Sequence, residues 1–235
     1  MIFTRFGFQF GTANLALAVA VLCLCAGCMH PAANDPARVG PFFTPANHSG
    51  DPSLGGVRRV VVLPVWVGEG TRPESAAALD EVFLIALQQE KRFEVVSFSR
   101  EECRRRYGVE ALSSATTLPS GLFPALQREF AADAILFIDL TAYNAYKPLT
   151  LGLRSKLAAI DGTRLIWTFD NVFSTEAPGA ANSARHHFLD QDKSVPLDLT
   201  RTVLQSPSRF AAYAAASMFA TLPPVVAAPT VVITK

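Results

Sequence analysis

The sequence predicts an α/β domain in which helices pack on a mixed sheet of about five strands. Three observations predict this class. Residues 58–67 form a nearly continuous apolar run, which is typical of a strand covered on both faces. Residues 76–89 repeat apolar side chains at steps of three and four, as one helix face does. Residues 149–173 alternate apolar and polar side chains around Asp161-Gly162, the pattern of an antiparallel hairpin.

The first strand contains a proline and is followed by a helix. Because Pro64 has no N–H to donate, we expect it near the end of the strand, at a bulge or at an edge. Pro73 can begin the helix, since the first turn leaves its N–H groups unpaired anyway. The apolar residues of this helix are Leu79, Val82, Phe83, Ala86 and Leu87.

Shorter elements follow. We expect a strand over residues 93–98 and an exposed helix over 99–107, where Ser99 and Glu102 are spaced as a capping box. A loop then leads to a helix over 122–130 and a strongly apolar strand over 134–143.

In the hairpin, Leu149, Leu151, Leu153 and Leu157 alternate with polar residues, and Leu165, Trp167, Phe169 and Phe173 share one face of the next strand. One face therefore packs on the core and the other faces water. Asp161 and Gly162 are assigned to the turn.

The last third of the chain is predicted as a loop and a helix. Residues 174–198 are polar and irregular, and residues 199–222 form an alanine-rich helix that Pro207 breaks. Pro223 and Pro224 end that helix, and residues 223–235 form a tail or a final strand through Val231–Ile233.

At the amino terminus, residues 15–25 form an apolar run that is too short to span a bilayer but suits a signal peptide. Residues 24–28, LCAGC, resemble the lipobox of bacterial lipoproteins. The resemblance implies cleavage before Cys28 and diacylation of its thiol, and two acyl chains anchor a protein stably. The residue after the cysteine is Met29 rather than Asp. By resemblance to lipoproteins that are sorted between the two membranes of Gram-negative bacteria, this implies anchoring in the outer membrane with the domain in the periplasm. The alternatives are a signal cleaved elsewhere or an uncleaved anchor helix, either of which leaves Cys28 unmodified.

The predicted organisation is a signal peptide (1–27), a lipidated cysteine with a flexible tether (28–57), an α/β domain (58–222) and a carboxyl-terminal tail (223–235). The tether is rich in Pro, Gly, Ala and Asn and has no sustained period. As a coil it would span on the order of 30 Å and hold the domain away from the membrane.

Four segments together resemble the amino-terminal domain of TolB and the lipoproteins that share its fold. They are RRVVVLPV, the helix leading to RFEVV, FAADAILFIDL, and the hairpin LRSKLAAIDGTRLIW. The resemblance covers residues 58–222 and implies the fold. It also implies a role as an accessory or assembly part of the envelope, as in curli export, peptidoglycan-synthase activation or exopolysaccharide export. The sequence argues against a pore of the curli type. Residues 174–198 are long enough for a membrane hairpin, but their apolar and polar residues do not alternate as membrane strands require.

Charge and cysteine content narrow the function. The chain has 21 basic and 20 acidic residues, and removal of residues 1–27 takes away only Arg5, so no nucleic-acid partner is expected. The run Arg104–Arg106 is interpreted as a solvated helix face. Of the four cysteines, only Cys103 would remain free after processing and acylation, so no disulfide framework or cysteine metal cluster is expected within one chain.

The expected function is a non-catalytic adaptor, with no cofactor, no metal and no catalytic residue. Its partners would be the membrane, through the acyl anchor, and an unidentified envelope protein, with further copies of the chain as another candidate partner. Tyr143 and Tyr146 are the candidate partner contacts, because tyrosines near loops often anchor interfaces. Phe42 and Phe43 belong to the same set of aromatic residues in or near loops, and packing of Tyr143, Phe42 and Phe43 on the core is the competing interpretation.

The alternative function is a metal-dependent periplasmic enzyme that uses a loop containing His186 and His187. Asp190 and Asp192 lie close by in sequence, and imidazoles with carboxylates can bind zinc. The spacing matches no strong metal motif, so a solvated loop is the competing interpretation. Cys103 would need a nearby base to act as a nucleophile, and the sequence indicates none.

Overall fold

A computed structural model describes residues 34–68 and 73–225. Residues 1–27, Cys28 and the carboxyl-terminal residues after 225 lie outside this part, so the signal peptide and the lipidation site are not described. Among the described residues, no helix has the length and apolar character needed to cross a membrane.

Within the described residues, seven strands form one sheet. Their bounds are β1 His48–Gly50, β2 Arg59–Val62, β3 Trp66–Val67, β4 Glu94–Ser97, β5 Ala134–Asn144, β6 Thr150–Ala159 and β7 Leu165–Ser174. The helices are α1 Pro36–Val39, α2 Pro73–Gln89, α3 Arg100–Tyr107, α4 Leu122–Phe130, α5 Pro178–Gln191 and α6 Pro207–Phe219, and a 3-10 helix spans Leu197–Gln205.

The strand order across the sheet is β1-β7-β6-β5-β2-β4, and β3 pairs with β5 beyond the end of β2. β2 is parallel to both β4 and β5, whereas β5, β6, β7 and β1 pair antiparallel. The mixed sheet with packed helices confirms the predicted α/β class. The sheet has seven strands rather than about five, because β1 and β3 are too short to leave a pattern in the sequence.

The two sheet faces carry separate cores. One core lies under α2 and α6 and contains the hairpin aromatics Trp167, Phe169 and Phe173. The other lies under α3 and α4 and includes Phe98 and Phe137. The parallel half of the sheet is thus covered on both faces, while the outer face of the β6–β7 hairpin is partly solvated.

The strongly apolar segments fold as predicted. The α2 and α4 helices occupy their expected residues, and Pro64 lies between β2 and β3, where no ladder bond is required of it. The amide of Glu102 donates to Ser99 Oγ (3.1 Å), which is half of the capping box expected at the start of α3. The chain also breaks at Pro207, between the 3-10 helix and α6. The turn at Asp161-Gly162 is longer than two residues, with residues 160–164 between the strands.

Two predictions are wrong. Residues 178–191, expected to be an irregular loop, form the helix α5, which begins at Pro178. Residues 34–57 are not a flexible tether, because they include α1 and β1 and pack on the domain. In β1, His48–Gly50 pair with Trp167–Phe169 of β7 and so cover that edge of the hairpin.

Candidate functional site

An ion pair fixes the amino-terminal segment to the domain. Asp35 caps α1 by accepting from the amide of Ala37 (2.8 Å), and Arg185 of α5 donates to its other carboxylate oxygen (2.8 Å). Arg185 is 6% exposed and also donates to Thr200 Oγ1 (3.0 Å). The Arg185 guanidinium lowers the pKa of Asp35 below its ordinary value. The pair therefore links α1, α5 and the 3-10 helix.

Further contacts along α5 hold the rest of this segment. The side chain of Asn182 donates to the carbonyl of Pro41 (3.1 Å), and Ser183 Oγ accepts from the amide of Phe43 (2.8 Å). The Phe43 ring packs edge-on against Phe173 in the core, with ring centroids 5.2 Å apart. Phe43 is thus a packing residue, as the competing interpretation of the aromatic pair predicted.

The two histidines of the enzyme hypothesis lie on α5, where neighbouring side chains point about 100° apart. His186 approaches the carbonyl of Ala37 through Nδ1 (2.9 Å) and lies 3.3 Å from Asp190 through Nε2. His187 is turned toward the Tyr213 ring, and burial lowers its pKa. The helix therefore separates the two imidazoles instead of directing them at one point.

The described residues contain no group of three His, Cys, Asp or Glu side chains that could hold a metal ion. Cys103 is fully buried on the inner side of α3, and burial raises the pKa of its thiol. A buried thiol of high pKa is a poor nucleophile.

Tyr146 projects from the loop between β5 and β6 and is 82% exposed. The side chain of Asn144 braces this loop by accepting from the amide of Tyr146 and donating to the carbonyl of Pro148, both at 3.1 Å. The loop borders a cavity of about 420 Å³, which is lined by Lys147, Pro148, Thr175, Glu176 and Leu204. An exposed aromatic ring on a braced loop beside a cavity has the features of an interface anchor.

The structure separates the two predicted contact tyrosines. Tyr143 is half-buried and packs against the core, and burial raises the pKa of its hydroxyl. Only its position near the end of β5 agrees with the partner-contact hypothesis. Tyr146 is the one of the two that is free to touch another molecule.

A crevice that the sequence analysis missed lies beyond the carboxyl ends of β2 and β4. The chain leaves these adjacent strands toward opposite faces of the sheet, an arrangement that often produces a ligand crevice. The cavity measures about 490 Å³. Arg100 crosses it and donates to both oxygens of Asp80 (2.6 and 2.9 Å) and to the carbonyl of Val65 (2.7 Å). Both charges are thus already paired, which indicates a structural brace.

A buried carboxylate holds the long loop before α4. Asp139 of β5 accepts from Ser113 Oγ (3.0 Å), from the amide of Ser114 (3.1 Å) and from Ser114 Oγ (2.8 Å). Lys156 donates to the carbonyl of Ser114 (3.0 Å). The carboxylate has three donors around it and no neighbouring base among these contacts, so we assign it to loop attachment.

The arginine run on α3 is engaged in ion pairs. Arg104 contacts Glu110, Arg105 contacts Glu102, and Arg106 contacts both Glu102 and Glu129. The run is a solvated helix face, as the sequence analysis interpreted it.

No family model matches the sequence, and no curated protein matches it. Among solved structures, it is similar to the PelC dodecamer from Paraburkholderia phytofirmans, at 10% identity and a TM-score of 0.42 over 75% of this chain and 96% of that one. It is similar to lipoprotein GNA1162 from Neisseria meningitidis, at 16% identity and a TM-score of 0.41 over 59% and 99% of the two chains. The LpoB carboxyl-terminal domain from Escherichia coli gives 19% identity and a TM-score of 0.36 over 50% and 82%.

Proposed function

We propose that this protein is a lipoprotein anchored through Cys28 to the outer membrane, facing the periplasm, and acting without catalysis as an adaptor or assembly factor in envelope biogenesis or export. The lipobox supports anchoring through Cys28. The exposure of Tyr146 on a braced loop supports the adaptor role, because an exposed aromatic ring beside a cavity can anchor a protein partner.

The Tyr146 loop suits a protein partner. Asn144 fixes the loop backbone before binding, so little conformational entropy is lost when the ring is buried. The neighbouring cavity offers Lys147 and Glu176 for polar contacts around the ring, which is the usual arrangement of an apolar anchor with a polar rim.

A photo-crosslinking experiment in intact cells tests this role. A photoreactive phenylalanine analogue replaces Tyr146 in the full-length chain, and the matched control replaces Ile85, an exposed residue of α2. We expect an adduct with another envelope protein from position 146 and none from position 85. An adduct of twice the chain's own mass would identify a second copy as the partner. Acylated, membrane-bound protein that gives no adduct at position 146 would overturn the adaptor role.

The alternative, a metal-dependent enzyme using His186 and His187, is tested separately. Its histidines diverge and are already engaged by Ala37, Asp190 and Tyr213. The test is a metal-dependent enzymatic activity of the full-length protein. If such an activity exists and is lost in both the His186→Ala and His187→Ala variants, the non-catalytic part of the proposal is overturned.

A further inference from the structure

We infer that the short segment between Cys28 and Asp35, called the leash below, holds one face of the domain against the phospholipid leaflet in which the acyl chains of Cys28 are embedded. This face is formed by α1 and the end of α5. This inference rests on the proposed lipidation of Cys28. It commits to a bilayer as the occupant of this face, because the anchor and the face belong to the same chain and few residues separate them.

The length of the leash follows from where the domain begins to hold the chain. Among the described residues, Asp35 is the first whose side chain is bound, because Arg185 donates to its carboxylate and so does the amide of Ala37 within α1. Six residues lie between Cys28 and Asp35, and the seven Cα–Cα steps that join the two residues reach at most about 25 Å. A tether free as far as residue 57 would reach several times farther.

The Asp35–Arg185 ion pair also determines which side of the domain faces the bilayer. The leash enters at Asp35, so the surface around α1 is the part of the domain that the anchor holds nearest. Val39 and Phe42 lie on this surface, and Val39 is 62% exposed. Apolar side chains at the headgroup boundary are typical of proteins that rest on a membrane.

The polar groups on the same surface suit phospholipid headgroups. Arg38 and Lys193 flank a hollow of about 350 Å³ that also contains His186 and Asp190. His186 lies beside Asp190, whereas the described salt bridges include neither Arg38 nor Lys193. These two cations can therefore approach headgroup phosphates, and basic side chains near an anionic membrane surface favour binding to it.

Reporter cysteines measure the orientation. The full-length protein carries Cys103→Ala together with Val39→Cys or, as the control, Val172→Cys. Val172 is 56% exposed and lies on the sheet face opposite α5. Each acylated protein is labelled with a fluorophore and reconstituted into phosphatidylethanolamine–phosphatidylglycerol vesicles containing a headgroup-level quencher lipid. We expect several-fold stronger quenching of the label at position 39 than at position 172.

A second variant tests the leash itself. Insertion of twenty Gly and Ser residues after Met29 should reduce quenching at position 39 toward the control level, because the anchor no longer restricts the domain. Equal quenching at positions 39 and 172, or unchanged quenching after the insertion, would overturn the inference. The intact mass of the same samples separates the two proposals, since missing acyl mass would overturn lipidation of Cys28 itself.

Discussion

Asp35 and Arg185 are 150 residues apart in sequence and form a part-buried ion pair of 2.8 Å that joins the amino-terminal segment to α5. Substitution of Arg185 by an uncharged residue leaves the partly buried Asp35 carboxylate without its cation. We expect Arg185→Met to reduce the free energy of unfolding by about 1.5–3 kcal/mol, the usual range for a hydrogen bond between charged groups. The solvated pair Arg154–Asp170 is the matched control, and Arg154→Met should cost less than about 1 kcal/mol. Urea denaturation measures both, and equal losses would contradict the role of burial.

The same pair gives a pH dependence. The hydrogen bond from Arg185 lowers the pKa of Asp35 in the folded state below its ordinary value of 3.8. The stability that the ionised Asp35 contributes is therefore fully present above about pH 3.8 and is lost as the pH falls through the folded-state pKa. We expect the Asp35→Asn variant to be less stable than the parent at pH 7, and the difference to shrink as the pH falls below 3.8. Urea midpoints at a series of pH values check this. A difference that stays constant down to pH 2 would show that the carboxylate charge is not what holds the segment.

Gly152 is required by a close approach of β5 to β6. A Cβ at this position would lie 2.6 Å from Thr141 Oγ1 and 3.0 Å from the amide nitrogen of Ala142. We expect Gly152→Ala to destabilise the protein by about 1–3 kcal/mol, because the backbone nitrogen cannot move aside without disturbing the strand. Gly56→Ala is the control, since no heavy atom lies within 4 Å of its Cβ. Thermal unfolding compares the two variants, and equal melting temperatures would refute the clash.

Asp139 should determine whether the loop before α4 stays attached to the sheet. Asp139→Ala removes the acceptor shared by Ser113 and Ser114, and unsatisfied buried donors cost about 1–3 kcal/mol. We expect faster hydrogen exchange in the peptide covering residues 109–121. Asp161→Ala, in an exposed turn, should leave that peptide unchanged. If exchange in the peptide is as slow in Asp139→Ala as in the parent, the loop is held by other contacts.

The apolar elements could be predicted from the sequence because their signals are local. The α2 helix and the β6–β7 hairpin each carry their own apolar period, and Pro64 and Pro207 mark breaks through the chemistry of proline itself.

The α5 helix could not be predicted in this way. Its buried residues are Ala180, Asn182, Ala184 and Arg185, of which two are small and two polar, so no apolar stripe is visible. Asn182 and Arg185 are buried because a segment some 140–150 residues earlier in the chain covers them. Pro178, which suits the first position of a helix, was the one local signal available. The crevice was missed for a related reason, since Asp80 and Arg100 meet only after two helices have packed on opposite faces of the sheet.

Tyr143 and Tyr146 provide the sharpest separation between packing and binding. Tyr143 packs on the core, so Tyr143→Ala should reduce the free energy of unfolding by about 1–3 kcal/mol. Tyr146 is 82% exposed, so Tyr146→Ala should change it by less than about 0.5 kcal/mol. We expect Tyr146→Ala nevertheless to weaken association with the partner identified by crosslinking, and Tyr146→Phe, which keeps the ring, to restore most of it. Titration of full-length variants with that partner measures the affinity. An affinity unchanged in Tyr146→Ala would show that the ring contributes nothing to binding, and a loss of stability in this variant would mean that the ring packs on the domain after all.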